Sequence, residues 1–151
     1  MSRRLAISVA LLLALTAFCA TGLGHPASGT PAPAFQVIVN PRSSVTGVDR
    51  KFLEEAFLKK VTAWPDDQVI RPVDLAPDSA VRRAFTHDIL NRSVEAVKSY
   101  WQQRIFSGRD VPPPELARDE DVVQFVLKHE GGVGYVSGTA DVEGCRVIGV
   151  R

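Results

Sequence analysis

The residues with the clearest chemical capacity stand at the end of an apolar run. Val69–Leu75 leads through Ala76-Pro77 into Asp78-Ser79, and a helical pattern begins at once. A strand–loop–helix junction of this kind aims free backbone N–H groups at whatever lies above it, and the helix dipole adds positive potential there. Asp78 or Ser79 can supply the N-cap. Arg82 and Arg83 follow in the first turn, where a cation faces the positive end of the dipole at a small cost. That placement makes sense if an anion sits at the tip. It is equally consistent with Asp78 pairing with Arg82 at i,i+4, both solvated. Ser43, Ser44 and Thr46, in a loop expected to neighbour the tip, are further hydroxyl donors for the same small oxyanion.

Other chemistry is missing from the sequence. There is no Walker loop, GxSxG elbow, HExxH or CxxC pair. His87 and His129 lack the carboxylate or cysteine spacing of a zinc site, so no metal and no cofactor is expected. His87 and Asp88 are adjacent on a helix and are not expected to face one another, which argues against a catalytic dyad. Gly131-Gly132-Val133-Gly134 leaves a helix and enters a strand, the reverse of a dinucleotide loop. A non-enzymatic protein is the expectation.

The elements that must position these residues follow from periodicity. Phe35–Val39 reads as a β run closed by Asn40-Pro41. Asp49 is the expected N-cap of a first helix, with Val48 and Leu53 as its staple and Phe52, Leu53, Ala56 and Phe57 inward. Arg50 and Lys51 repeat the dipole violation there, so the pattern at Arg82 is not unique. Trp64 is expected to cap the core. Val81, Ala84, Phe85 and Ile89 mark the buried face of the second helix. The third, Ser93–Phe106, has Ser93 as N-cap and Val94, Val97, Trp101 and Ile105 on one face. Pro112-Pro113-Pro114 is a stiff extended spacer. Asp119-Glu120-Asp121 starts a last helix over Val122–His129, and Val133–Val136 and Cys145–Val150 are closing strands. Four strand-like runs interleaved with four helices predict an α/β domain with a largely parallel sheet. Pro72, which lacks an N–H, places its strand at an edge.

The chain has 151 residues and a formal charge of +1. Ser2-Arg3-Arg4 followed by the apolar run Leu5–Ala20 predicts a secretory signal peptide over residues 1–24, too short for a membrane span. Phe18 before Cys19 argues against lipidation. Residues 25–34, rich in Pro, Gly and Ser, predict a flexible linker, and residues 35–151 the folded domain. After cleavage, 127 residues remain, with sixteen cations against seventeen acids. That is enough for one real core, with no basic excess to suggest nucleic acid. Only Cys145 survives, and it is expected to be a packed residue near a terminal strand rather than a reactive thiol.

The ordered series VIVNP (37–41), FLEEAFLKKVTAWPDDQVIRPVDLAPDSAVRRAF (52–85), YWQQRIFSGR (100–109) and EGGVGYV (130–136) resembles small secreted relatives of phosphate ABC-transporter substrate-binding proteins, of the type II periplasmic-binding fold. The resemblance implies a single periplasmic-binding-like lobe, a mixed and mostly parallel sheet flanked by helices. In that family phosphate is held between two lobes, partly at a helix tip reached through a Gly-Ser-Gly-Thr turn followed by Arg. Here the turn reads Asp78-Ser79-Ala80-Val81-Arg82, so Ser79 and Arg82 match while the glycines and the threonine do not. The chain matches about one lobe. The implied function is a periplasmic or secreted solute-binding-like protein, taking phosphate or another oxyanion at Ser79 and Arg82 for ABC-type uptake. The alternative is a single-lobe accessory protein that has lost its ligand and binds a transporter or another envelope partner. Neither reading has the chain spanning the membrane after cleavage.

Intact mass of the exported product tests the leader. The mature chain is expected to start near Leu23 or His25 without lipid, and a retained Met1 or a diacylglycerol on Cys19 would overturn this.

Overall fold

The computed structural model describes residues 34–151. The expected leader over 1–24, with Cys19, and the linker up to residue 33 lie outside them.

Phe35–Val39 forms β1, the central strand of a five-stranded sheet. Three of its side chains, Val37, Ile38 and Val39, are buried, because helices cover both faces of this strand. Its neighbours are β6 (Gly132–Ser137) and β7 (Arg146–Val150), both antiparallel to it. The short β2 (Gly47–Val48) lies parallel to β7 at one edge, and β3 (Arg71–Pro72) parallel to β6 at the other. The sheet order is therefore β2-β7-β1-β6-β3, with four strands pointing one way and β1 against them. This is the mixed, mostly parallel sheet expected, and Pro72 does sit on an edge strand.

The apolar run Val69–Leu75 is not one strand. Val73 donates to the Val133 carbonyl at 2.9 Å, and the next amide, of Asp74, donates to Pro114 instead. There β4 (Asp74–Leu75) leaves the main sheet and pairs in parallel with β5 (Glu115–Leu116). The proline spacer thus ends in a strand that periodicity could not reveal, since two residues carry no period.

Among the described residues there are four helices: α1 (Arg50–Phe57), α2 (Ala80–Asp88), α3 (Val94–Phe106) and α4 (Asp119–Lys128). α4 begins three residues earlier than the apolar pattern suggested, its acids filling the first turn as the dipole favours. Asp49 occupies the N-cap of α1 but makes no side-chain cap bond; the Arg50 amide donates to the Arg151 carbonyl instead. Arg50 itself donates to the Asp88 carbonyl at the end of α2, which gives that cation a partner. Trp64 is buried as expected, stacked on Phe52 and donating to the Gly131 carbonyl. The third helix departs from expectation at its end: Val97 and Trp101 are buried, but Ile105 is half exposed because the last turn runs past the core.

Gly131 has no room for a side chain. A Cβ there would stand 1.8 Å from the Val69 carbonyl oxygen, a backbone atom held by the Ala63–Val69 bridge. Gly131→Ala is expected to cost about 1–3 kcal/mol or more, read as a lowered midpoint in chemical unfolding.

Candidate functional site

The junction from β4 to α2 is built from Asp74 to Arg83. Ala76 accepts from the Ser79 amide at 3.0 Å, closing the turn through Pro77 and Asp78. Ser79 is extended (φ −64°, ψ 133°), and its hydroxyl accepts the Arg82 amide at 3.3 Å, so Ser79 and not Asp78 is the N-cap. Ala80 and Val81 are left with amides that have no carbonyl to reach within the helix.

Arg82 does not reach outward. It is 3% exposed, and its Nη1 lies 2.6 Å from both the Asp74 carboxylate and the Leu75 carbonyl. Nη2 is 3.6 Å from Glu115 on β5, and Nε is buried without a partner. The Asp78–Arg82 pair is therefore not the arrangement found. Helical side chains tilt toward the N-terminus, so a long residue at this position reaches back over the turn to β4. There it finds acceptors shielded from water. Arg83 takes the outward position, donating to the Asp78 carbonyl at 2.8 Å.

Asp74 is 4% exposed and collects three donors: Arg82, the Leu75 amide at 3.1 Å and the Tyr135 hydroxyl. Burial pushes its carboxyl up to about 6 from an ordinary 3.8, against the opposing pull of Arg82. Burial, with Asp74 beside it, also holds the Tyr135 phenol well above its usual range. The Tyr135 ring stacks on Phe85 with centroids 3.7 Å apart and planes 5° apart. The buried face of α2 is accordingly Arg82, Phe85, Thr86 and Ile89, with Val81 and Ala84 only half buried. Residues 82, 85, 86 and 89 form a helical stripe, and that spacing was the signal that Arg82 faces inward.

The hydroxyl loop is elsewhere. Ser43, Ser44 and Thr46 follow the C-terminal end of β1, which pairs with the start of β6. The α2 tip borders a different cavity, at Pro77 and Arg82, from the one that Ser44 and Thr46 line. The structure thus brings Ser79 and Arg82 together and sets the other three apart from them. Ser43 is buried, its hydroxyl accepting the Val45 amide and its carbonyl an Arg146 guanidinium N–H at 2.7 Å. Ser44 donates to Asp66 at 2.6 Å, and Thr46 lines a separate cavity of about 410 Å³ beside Phe52 and Trp64.

A larger cleft of about 480 Å³ opens beside the α2 tip, between Pro77, Arg82, Trp101, Ile105, Pro112 and Glu115. His87 and Asp88, contrary to expectation, do meet: Nδ1 is 2.7 Å from the carboxylate, because Asp88 ends the helix and its side chain can turn. The pair is exposed on the surface. Cys145 is half buried, and burial raises its thiol, the setting of an unreactive residue. Among the described residues no cluster of His, Cys, Asp and Glu is placed to hold a metal, and no helix is long and apolar enough to cross a membrane.

No family model and no curated protein matches the chain. Solved structures do. An ABC-type phosphate transport receptor from Vibrio cholerae superposes with a TM-score of 0.60 at 19% identity, over 78% of this chain and 46% of that one. The fold is that of phosphate ABC-transporter substrate-binding proteins. A putative receptor of this kind from Clostridium perfringens, solved with bound phosphate, gives 0.60 at 18% identity, covering 78% and 44%. PstS from Borrelia burgdorferi gives 0.60 at 13%, covering 78% and 47%. The chain spans less than half the length of these receptors, so it carries the receptor fold over one part only.

Two measurements test the buried cluster. Arg82→Ala leaves Asp74 without its counter-charge and is expected to cost about 3–5 kcal/mol, where an exposed pair would cost little. The raised carboxyl means the folded chain holds the Asp74 proton more tightly than the unfolded one. Its contribution to stability is fully present below about pH 4 and is lost as pH rises through about 6. The stability difference between wild type and Asp74→Asn should therefore change across that window and be level above it; a level difference throughout would overturn the assignment.

Proposed function

We propose that this chain is an exported, non-enzymatic, solute-binding-like protein of the phosphate-receptor fold, taking phosphate or a similar oxyanion at the tip of α2 for ABC-type uptake. The observation that carries this reading is the β4–α2 junction: a capped helix start fixed on a buried ion pair, in a fold shared with phosphate receptors. The Ser79 hydroxyl and the amides of Ala80 and Val81 supply the directional donors, and Arg82 positions the tip from behind rather than gripping the anion. A helix tip open to solvent gives a screened contact, which limits affinity to about 0.1–1 mM.

A second reading is favoured by the state of Arg82. Its charge is taken up by Asp74, and the outward cation, Arg83, is engaged with the Asp78 carbonyl, so the arginine that matches the receptor pattern is not presented at the tip. On that reading the lobe has given up ligand and docks on a transporter or another envelope protein.

Calorimetric titration of phosphate, sulfate and a carboxylate decides between them. Millimolar binding, weakened several-fold in Ser79→Ala while the variant stays folded, supports the first reading. No heat in wild type at tens of millimolar anion leaves the second in front.

A further inference from the structure

Arg82 stands in the first turn of α2, directly behind the tip. Its amide is bonded to the Ser79 hydroxyl, and its side chain borders the cleft that opens there beside Pro77. The guanidinium is shared between two carboxylates: Asp74 on β4 is 2.6 Å from Nη1, and Glu115 on β5 is 3.6 Å from Nη2. Nε is buried with no acceptor among the described residues, so the two acids do not saturate it. One cation against two acids leaves the cluster with a net negative charge, and Asp74 carries its share shielded from water. A buried carboxylate beside a second acid is the arrangement that favours uptake of a proton.

The bonds of Asp74 leave a place for that proton. The Leu75 amide, the Tyr135 hydroxyl and Arg82 all meet it at Oδ1. Among the described residues no hydrogen bond reaches Oδ2. A proton there displaces none of the three donors, so the start of α2 keeps its geometry while the charge changes. Burial brings this step up to about pH 6, against the pull of Arg82. The elements packed around the cluster do not override it. The residues that α4 buries are Val122, Val123 and Val126, which carry no charge. Lys98 and Glu95, of opposite sign, line the α3 side of the cleft.

We propose that Asp74 sets the oxyanion affinity of the α2 tip by proton uptake: the neutral carboxyl no longer cancels the Arg82 charge, and the anion is held more tightly. The inference rests on the solute-binding reading above and adds its regulation. Binding and protonation are linked, so a bound anion raises the proton affinity of Asp74 by the same factor. An anion is taken up in mildly acidic surroundings and released as pH rises through about 6.

Titration calorimetry of the full chain with sulfate, whose own charge is constant between about pH 5 and 7.5, tests it. Affinity is expected to fall about fivefold from the lower to the upper pH, a modest coupling because a tip open to solvent is screened. Proton uptake on binding is expected with it, read near pH 6 as a heat that changes with the ionisation enthalpy of the buffer. Asp74→Asn should hold the affinity of the acidic wild type at every pH and abolish the uptake, with His87 still in place. Glu115→Gln, at a half-exposed position, removes a like charge from beside Asp74 and should move the midpoint to lower pH; it serves where Asp74→Asn does not fold. Sulfate bound with one affinity throughout would overturn this inference and leave the solute-binding reading standing. So would a pH dependence that survives Asp74→Asn or ignores Glu115→Gln. Absence of binding at every pH overturns both.

Discussion

The ion pair between Asp74 and Arg82 ties four elements of the chain together at one buried point. Asp74 belongs to β4, Arg82 to α2, Tyr135 to β6 and Glu115 to β5. Burying two charges is expensive and is offset only when their remaining donors and acceptors are satisfied. Here the Leu75 amide and carbonyl and the Tyr135 hydroxyl provide most of that satisfaction. The Phe85–Tyr135 stack lies directly behind and keeps water out. A change at any of these positions is therefore felt at the start of α2.

This constraint shapes what the α2 tip can do. The guanidinium that could have met an anion is turned inward and neutralised, and Ser79 spends its acceptor capacity on the Arg82 amide. What remains is a helix start whose position is fixed, with donors that are backbone amides, one hydroxyl proton and the outward Arg83. Such a tip suits weak recognition by a single lobe and also suits a lobe retained for its surface.

The remainder of the surface is organised by how far α3 extends. Its first half packs through Val97 and Trp101, and its last turn passes beyond the core. A hydrophobic residue in that turn has nothing of its own chain to cover it, which is why the periodic pattern placed Ile105 inside and the structure leaves it out. Phe106 is in the same position more completely.

Much of the fold was legible in the sequence. Leu53, Ala56 and Phe57 on α1 and Phe85 and Ile89 on α2 follow the 3.6 period that local chemistry sets alone, and Val37–Val39 on β1 is the continuous apolar run of a strand covered on both faces. Ser93 announced its cap and Pro72 its edge strand for equally local reasons, while the cap of α2 stood open between Asp78 and Ser79. The tertiary structure decided what local rules do not reach. β5 has two residues and exists only because β4 leaves the main sheet beside it. Ser44 and Thr46 line one cavity and the α2 tip borders another, a separation decided by how the strands assemble and not by any residue in either loop. Arg82 reads as a surface cation by type, yet its place in the 82–85–86–89 stripe turns it inward, where a carboxylate five residues before the helix cap waits on β4. Type can be read from one residue; the partner that outweighs it is supplied by the fold.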